Sequence, residues 1–360
     1  MEFGLSEEQI LLQSSIGGYL ADNGGLDRAR KFADDDEKRA DDLWAGLSDM
    51  GIPGIMIAEE HGGLGLSLLD TALVAETLGY YISPVPFTSS VVVAPMAIAL
   101  AGSDEQKANW LPKLADGSTI AGAALTEVVG ARMGAKVEWN GSTLNGNSLF
   151  VMGFEADIYL VADKESNLYI VKADADGLER KSFTTVDKTR PVGELIFNNV
   201  TAEALPNSST EVCSRIIDAG RIILAADTLG ASQNMIDQSV SYAKVREQFG
   251  RVIGSFQAVK HMCAEMASGL EPCRSLMWYA AYAFENMKEE SQLTACQTKA
   301  HLGEVSKFVG KKATEVHGGV GFTDELGLHY WFKRIGYNRQ LLGGPDRLRE
   351  EAAELQGLVG

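Results

Sequence analysis

The sequence is short of cysteine, of basic charge and of long apolar runs. Its four cysteines (Cys213, Cys263, Cys273, Cys296) have no metal-ligand spacing and fall in helical patterns. That excludes a disulfide-stapled or zinc-bound design and points to buried thiols in a reducing compartment. Thirty-two Lys and Arg stand against forty-nine Asp and Glu, a formal charge of -17. Such a balance excludes non-specific attraction to nucleic acid or an anionic membrane, although local arginines can still hold an anionic ligand once distant charge is screened. The longest apolar run, Val91 to Ala101, is broken by Pro95 and falls short of the ~20 residues of a spanning helix. The N-terminus is acidic and has no apolar leader. A soluble, cytoplasmic protein is expected, with no nucleic-acid or membrane partner. No strand–helix alternation appears either, which argues against a doubly wound sheet.

What is present is a three-part pattern in 360 residues, nearly half of them apolar. Ser6 with Gln9 and Ser103 with Gln106 have capping-box spacing. Between them apolar residues recur at helical intervals: Leu12, Ile16, Tyr19 and Leu20; Leu43, Leu47 and Met50; Leu68 to Tyr80; Val91 to Ala101. Residues 1–117 therefore read as a helical domain. From 118 to 207 the runs shorten and fill with β-branched and aromatic residues: Ile120–Leu125, Ala135–Trp139, Leu149–Met152, Ile158–Val161, Leu168–Val171 and Leu195–Phe197. Asn140-Gly141 and Asn145-Gly146 look like hairpin turns, so a small antiparallel β domain is expected. Helical periodicity resumes over 208–360, with Ile216, Ile217, Ile222, Ile223, Leu224 and Leu229 apolar nearly all round, as in a helix buried on several sides. The fold class is α+β: helical domain, β domain, helical bundle.

Two motifs stand out in the last part. Val245-Arg246-Glu247-Gln248-Phe249-Gly250-Arg251, followed by Gln257, sets a planar cation beside an aromatic and a flexible backbone point, which suits a diphosphate with an adenine next to it. His317-Gly318-Gly319-Val320-Gly321-Phe322 lets backbone approach a phosphate-bearing ligand closely. The plainer alternative is a helix end whose arginine pairs with a structural carboxylate.

Together, about seventy residues apart, these motifs resemble the acyl-CoA dehydrogenase family, as do Phe3-Gly4-Leu5-Ser6-Glu7-Glu8-Gln9 and Glu59-Glu60-His61-Gly62-Gly63-Leu64-Gly65. The resemblance implies an FAD-dependent α,β-desaturation of a CoA thioester, with electrons passed to an electron-transfer flavoprotein. It also implies that Arg246, Gln248, Phe249, Gly250, Gln257, Glu315, Gly318 and Gly319 contact the ADP half of FAD across a subunit interface. Glu315 stands where the family usually has glutamine.

Desaturation needs a base for the α-proton. In the family it lies in the loop before the last helix, or directly before an arginine in the helix preceding Arg246. Here those positions are Gly343, in Gln340-Leu341-Leu342-Gly343-Gly344-Pro345-Asp346, and Gly220, in Asp218-Ala219-Gly220-Arg221. A glycine accepts no proton, so no catalytic residue is assigned. The flavin-contacting loop of the family continues here as Thr126-Glu127-Val128-Val129-Gly130-Ala131-Arg132, and Met152 stands where a threonine faces the flavin ring. The departures resemble the non-catalytic subunits of heterotetrameric members that act on steroid side-chain CoA esters, two copies of each chain. The chain is therefore expected to complete FAD on a catalytic partner subunit. The competing expectations are a self-sufficient homotetramer using Asp346 or Glu325, and a flavin-free scaffold.

Overall fold

A computed structural model describes residues 4–130 and 136–359. In chain order the elements are α1 (Glu7–Asn23), α2 (Gly25–Asp34), α3 (Asp41–Asp49), α4 (Leu68–Tyr80), α5 (Ala94–Ala101), α6 (Asp104–Ala115), β1 (Ala121–Ala124), α7 (Thr126–Val129), β2 (Lys136–Trp139), β3 (Thr143–Met152), β4 (Ile158–Ala162), β5 (Leu168–Lys172), β6 (Leu178–Ser182), β7 (Val192–Thr201) and β8 (Glu203–Ala204). There follow α8 (Thr210–Val245), β9 (Glu247–Gln248), β10 (Arg251–Val252), α9 (Gln257–Asn286), α10 (Lys288–His317), α11 (His329–Gln340) and α12 (Pro345–Leu355). A π-helical turn, Thr88–Val93, leads into α5. Both expected capping boxes form: Ser6 and Ser103 each accept the N–H of the glutamine three residues on, and each glutamine side chain returns to the serine N–H. Two orphan donors are thereby satisfied at each helix start.

The chain divides into two compact units. One consists of Phe32–Thr71 and Pro84–Arg221. Its sheet runs β6-β7-β3-β1-β4-β5-β8, with β2 also on β3, and its pairs are antiparallel except β1 with β4. Asn140-Gly141 turns β2 into β3 as expected. Asn145-Gly146 does not form a turn: it lies inside β3, where the register against β7 shifts between Leu144 and Gly146. Gly146 has φ 105°, and a Cβ there would lie 1.7 Å from the Lys136 carbonyl oxygen. A bulge uses glycine for the same backbone freedom as a hairpin, which is why the two share a signal. Arg39 ties this unit's helical part to its sheet through the Asp157 carboxylate and the Glu155 carbonyl, both at 2.7 Å. The expected strand beginning at Ala135 is described from Lys136; Ala135 itself lies outside the described residues.

The other unit consists of Met1–Lys31, Ala72–Ser83 and Ile222–Gly360. Two glycines let α4 and α8 cross closely. A Cβ on Gly79 would lie 2.0 Å from the Asp227 carbonyl oxygen, and one on Gly230 would lie 1.8 Å from that of Glu76. Beside this crossing Arg334, fully buried, reaches the Asp227 carboxylate and the Ser83 carbonyl, each at 3.3 Å. Asn338 donates to Asp227 and Thr228 at 2.6 and 3.1 Å. Buried charge is tolerable only when paired and hydrogen-bonded in this way. Apolar packing does the rest, with Met266, Leu270, Cys273 and Met277 of α9 buried, and Cys296 and Ala300 of α10 set against Leu348 and Ala352 of α12. Burial pushes the Cys213 and Cys273 thiols up to about 11. None of the described helices is long and apolar enough to cross a membrane.

Candidate functional site

The last turn of α8 runs into a hairpin whose shape follows from its turn residues. The Arg246 N–H donates to the Tyr242 carbonyl at 2.9 Å. Then β9 and β10 pair with Gln248 opposite Arg251 and Glu247 opposite Val252. Phe249 and Gly250 between them both have positive φ, 54° and 75°, as a type I′ turn requires. Gly250 adopts this freely. Phe249 does so at a cost of roughly 1–2 kcal/mol and leaves its ring 90% exposed. The Ile253 N–H returns to the Arg246 carbonyl at 2.7 Å, and the Arg251 guanidinium sits 4.0 Å from the Phe256 ring centroid, so the hairpin is braced at its base. The Arg246 side chain is exposed and makes no ion pair or hydrogen bond with any described residue. Gln248 turns its amide to the Glu247 carbonyl at 2.7 Å, and Gln257 is exposed at the start of α9.

The end of α10 forms the second wall. Gly318, with φ 65° and ψ -141°, stops the helix and donates its N–H to the Thr314 and Glu315 carbonyls. A Cβ on Gly318 or Gly319 would meet nothing within 4 Å, so the main chain there is open to close approach. Gly321 differs: its Cβ would lie 2.8 Å from the Thr314 carbonyl oxygen, which makes it a packing glycine. The two walls are joined by Tyr242 and His317, whose ring centroids are 4.7 Å apart. His317 is buried and its Nδ1 lies 2.7 Å from the Ala313 carbonyl, which makes that nitrogen the proton carrier. Burial holds its pKa below the ordinary value of 6.5, so the ring serves as a neutral spacer. Glu315 is exposed, with Lys312 Nζ at 3.0 Å.

The Tyr242–His317 contact thus brings the helix ends that carry the two motifs together within one unit. All eight expected ligands, Arg246, Gln248, Phe249, Gly250, Gln257, Glu315, Gly318 and Gly319, are solvent-exposed. They offer a guanidinium with no hydrogen-bond or ion-pair partner among the described residues, an aromatic face and open backbone. Sequence reasoning passed over Phe322, 80% exposed at the end of the glycine segment, and Val245, 73% exposed before Arg246. Their signal was apolar side chains among polar neighbours with no helical stripe to bury them.

Residues 6–118 match the description "Acyl-CoA dehydrogenase, N-terminal domain" and residues 210–354 match "Acyl-CoA dehydrogenase, C-terminal domain". The chain belongs to the acyl-CoA dehydrogenase family. It is 27% identical over 355 residues to acyl-CoA dehydrogenase IpdE2 of Mycolicibacterium smegmatis, spanning 98% of this chain and 100% of that protein. Among solved structures it superposes on a variant of the Tcur3481–Tcur3483 steroid ACAD with TM-score 0.89 and 29% identity, over 98% of each chain. The fold is also that of glutaryl-coenzyme A dehydrogenase in its glutaryl-CoA complex, TM-score 0.90 at 22% identity, over 100% of this chain and 98% of that one. Members of the family are FAD-bound flavoproteins. The helical–β–helical architecture expected from the sequence is the acyl-CoA dehydrogenase fold.

Against this family's chemistry, the corner around Arg246 and Gly318 fits the diphosphate end of FAD: an uncommitted cation faces solvent beside backbone that no Cβ covers. The sheet side fits the ring end poorly. Thr126 spends its hydroxyl on the Leu149 carbonyl. Met152 is buried, paired with Ala123 of β1 and Val192 of β7. Ala131 and Arg132 lie outside the described residues.

Neither position for the base carries a carboxylate. Gly343 has φ 106°, and its carbonyl accepts from the buried Lys299 ammonium at 2.8 Å, with the Arg339 carbonyl at 3.3 Å from the same nitrogen. Gly220 is buried within α8, and the nearby Asp218 is held by Arg221 at 3.1 Å, both side chains 4% exposed. Asp346 does not cap α12; Gly344 occupies that position, and Asp346 lies in the first turn, 97% exposed and 3.3 Å from Arg349. Glu325 is exposed ahead of α11. Neither stands in the dry, enclosed setting that tunes a carboxylate into a base.

Proposed function

We propose that this chain is the non-catalytic subunit of a heteromeric acyl-CoA dehydrogenase, completing an FAD site on a partner subunit that supplies the base. The observation that carries this reading is the uncommitted, exposed Arg246 beside the open backbone of Gly318 and Gly319, in a chain with glycine at both base positions. A residue set that walls one side of a ligand needs a second wall, and a neighbouring subunit is the natural source of it.

In this reading the Arg246 guanidinium takes the diphosphate, Phe249 and Gln248 lie against the adenine end, and Gly318 and Gly319 admit the cofactor to van der Waals contact with main chain. Gln257 adds an amide at the start of α9. FAD, once bound, supplies the hydride acceptor for desaturation of a CoA thioester. This chain's own part is to bind and orient it, while proton removal belongs to the partner. The assembly has two copies of each chain, and electron-transfer flavoprotein takes the electrons. The likeness to a steroid ACAD named as the pair Tcur3481–Tcur3483 supports a steroid side-chain CoA ester as the substrate class.

The test is purification of the chain alone and with a second dehydrogenase-like chain encoded beside it. Alone it is expected to be colourless and inactive with acyl-CoA; together the complex is expected to be yellow and active, with fewer flavins than subunits. A yellow, self-sufficient enzyme from this chain alone would refute the proposal.

A further inference from the structure

The proposed grip has an electrostatic difficulty built into it. It lies at the C-terminal end of α10, where unpaired carbonyls carry the negative end of the helix dipole. Glu315, in the last turn of that helix, adds a full negative charge, and the chain as a whole is at -17. A diphosphate brought to this corner meets repulsion that Arg246 must help to overcome. Lys312 Nζ lies 3.0 Å from the Glu315 carboxylate, one helical turn back and 26% exposed.

We infer that the Lys312–Glu315 pair is a charge-compensating device for the cofactor corner: Lys312 neutralises Glu315 so that Arg246 can hold the diphosphate. This rests on the cofactor role proposed above for Arg246. Glu315 is then a silent group whose carboxylate contributes no affinity of its own. Lys312 acts as a positioning residue, mattering only because Glu315 is there. The pair sits at the surface, where an i,i+3 ion pair adds little to folding, so its effect on cofactor binding can be read without loss of the fold.

The experiment uses the complex recovered by a tag on this chain from its native host, stripped of flavin and titrated with FAD by flavin fluorescence. Four variants are compared: R246A, K312A, E315Q and the double K312A/E315Q. R246A is expected to weaken FAD tenfold or more. K312A should weaken it severalfold, the order expected when one like charge is uncovered within a screening length of the diphosphate. E315Q should strengthen it, because Lys312 is then left without its carboxylate. The double variant should return to the unmodified value, and the K312A effect should shrink as salt is raised. If R246A weakens FAD but K312A does not, or if the double variant is as weak as K312A, the inference is overturned and the cofactor role stands. If E315Q alone weakens binding as much as K312A, Glu315 is itself a ligand and the inference is again overturned. If R246A has no effect, the proposed function falls and takes the inference with it.

Discussion

Replacing Arg246 with alanine removes one exposed guanidinium that makes no hydrogen bond or ion pair with another described residue, so its effect on folding and its effect on cofactor binding separate cleanly. Surface substitutions without partners move stability by no more than about 0.5 kcal/mol. The thermal unfolding of the isolated chain is therefore expected to be unchanged. A charge-assisted contact to phosphate is worth about 1.5–3 kcal/mol, which corresponds to roughly 10- to 150-fold in FAD affinity. The assay is flavin stoichiometry of the assembled complex after gel filtration, with the dissociation constant from titration of the stripped complex. Arg251 is the internal control. It sits in the same hairpin, but its guanidinium is stacked on Phe256, so R251A should lower the stability of the hairpin and weaken FAD less than R246A does. Unchanged flavin occupancy in R246A would refute the reasoning. So would a loss of flavin accompanied by an equal fall in the melting temperature of the isolated chain, because Arg246 would then be structural.

Arg334→Met leaves Asp227 buried without its arginine, a change expected to cost about 3–5 kcal/mol, measured by denaturant unfolding; a loss below ~1 kcal/mol would show that its other partners, Asn338 among them, suffice. Gly343→Glu should yield no dehydrogenase activity in the isolated chain and should destabilise it by at least about 1 kcal/mol, since φ 106° there disfavours any side chain; acyl-CoA-dependent flavin reduction by that variant would contradict this. His317 has its folded pKa lowered by burial, so the unfolded chain binds the proton first. The stability it contributes is complete above 6.5 and is lost as pH falls through the folded value. Hydrogen-exchange protection factors in Ala313–Phe322, corrected for the intrinsic rate at each pH, should therefore fall on acidification, and His317→Gln should flatten that response.

Local signals were legible and long-range ones were not. The capping boxes at Ser6 and Ser103 need only residues three apart, and both form. Leu68–Tyr80 was bounded correctly because its stripe and the following prolines are contiguous. By contrast α2, Gly25–Asp34, was passed over. Its buried positions Ala29, Phe32 and Ala33 lie among seven charged residues in the ten-residue stretch Asp27–Asp36, and composition masks the spacing. Asn145-Gly146 was read as a turn because a bulge is defined by the opposite strand, more than fifty residues away at Phe197. Arg334 gave no sign of being buried, since its carboxylate is 107 residues distant. The site followed the same rule. Its residue types and turns could be named from the chain, but the freedom of Arg246 from any partner is a negative fact that only the packed structure supplies.

The loop at Gly343 bears on whether the missing base is an accident of one position or a rebuilt element. A base simply deleted by substitution would leave backbone shaped for a side chain, with φ negative and the main chain otherwise unengaged. Here Leu342 has φ 53° and Gly343 φ 106°, consecutive positions outside the region that most residues adopt. The Gly343 carbonyl is fixed by a buried ammonium that also reaches Arg339. Lys299 is on α10, the helix whose far end carries Glu315, Gly318 and Gly319, so one rigid element holds both the glycine loop and the proposed cofactor corner. A carboxylate returned to position 343 would have to move backbone that Lys299 holds. In the reading proposed above, the missing base is thus a rebuilt loop rather than one substitution. That is also why restoring catalysis should require changes at Lys299 and Leu342 together with Gly343, each of which alone should leave the isolated chain inactive.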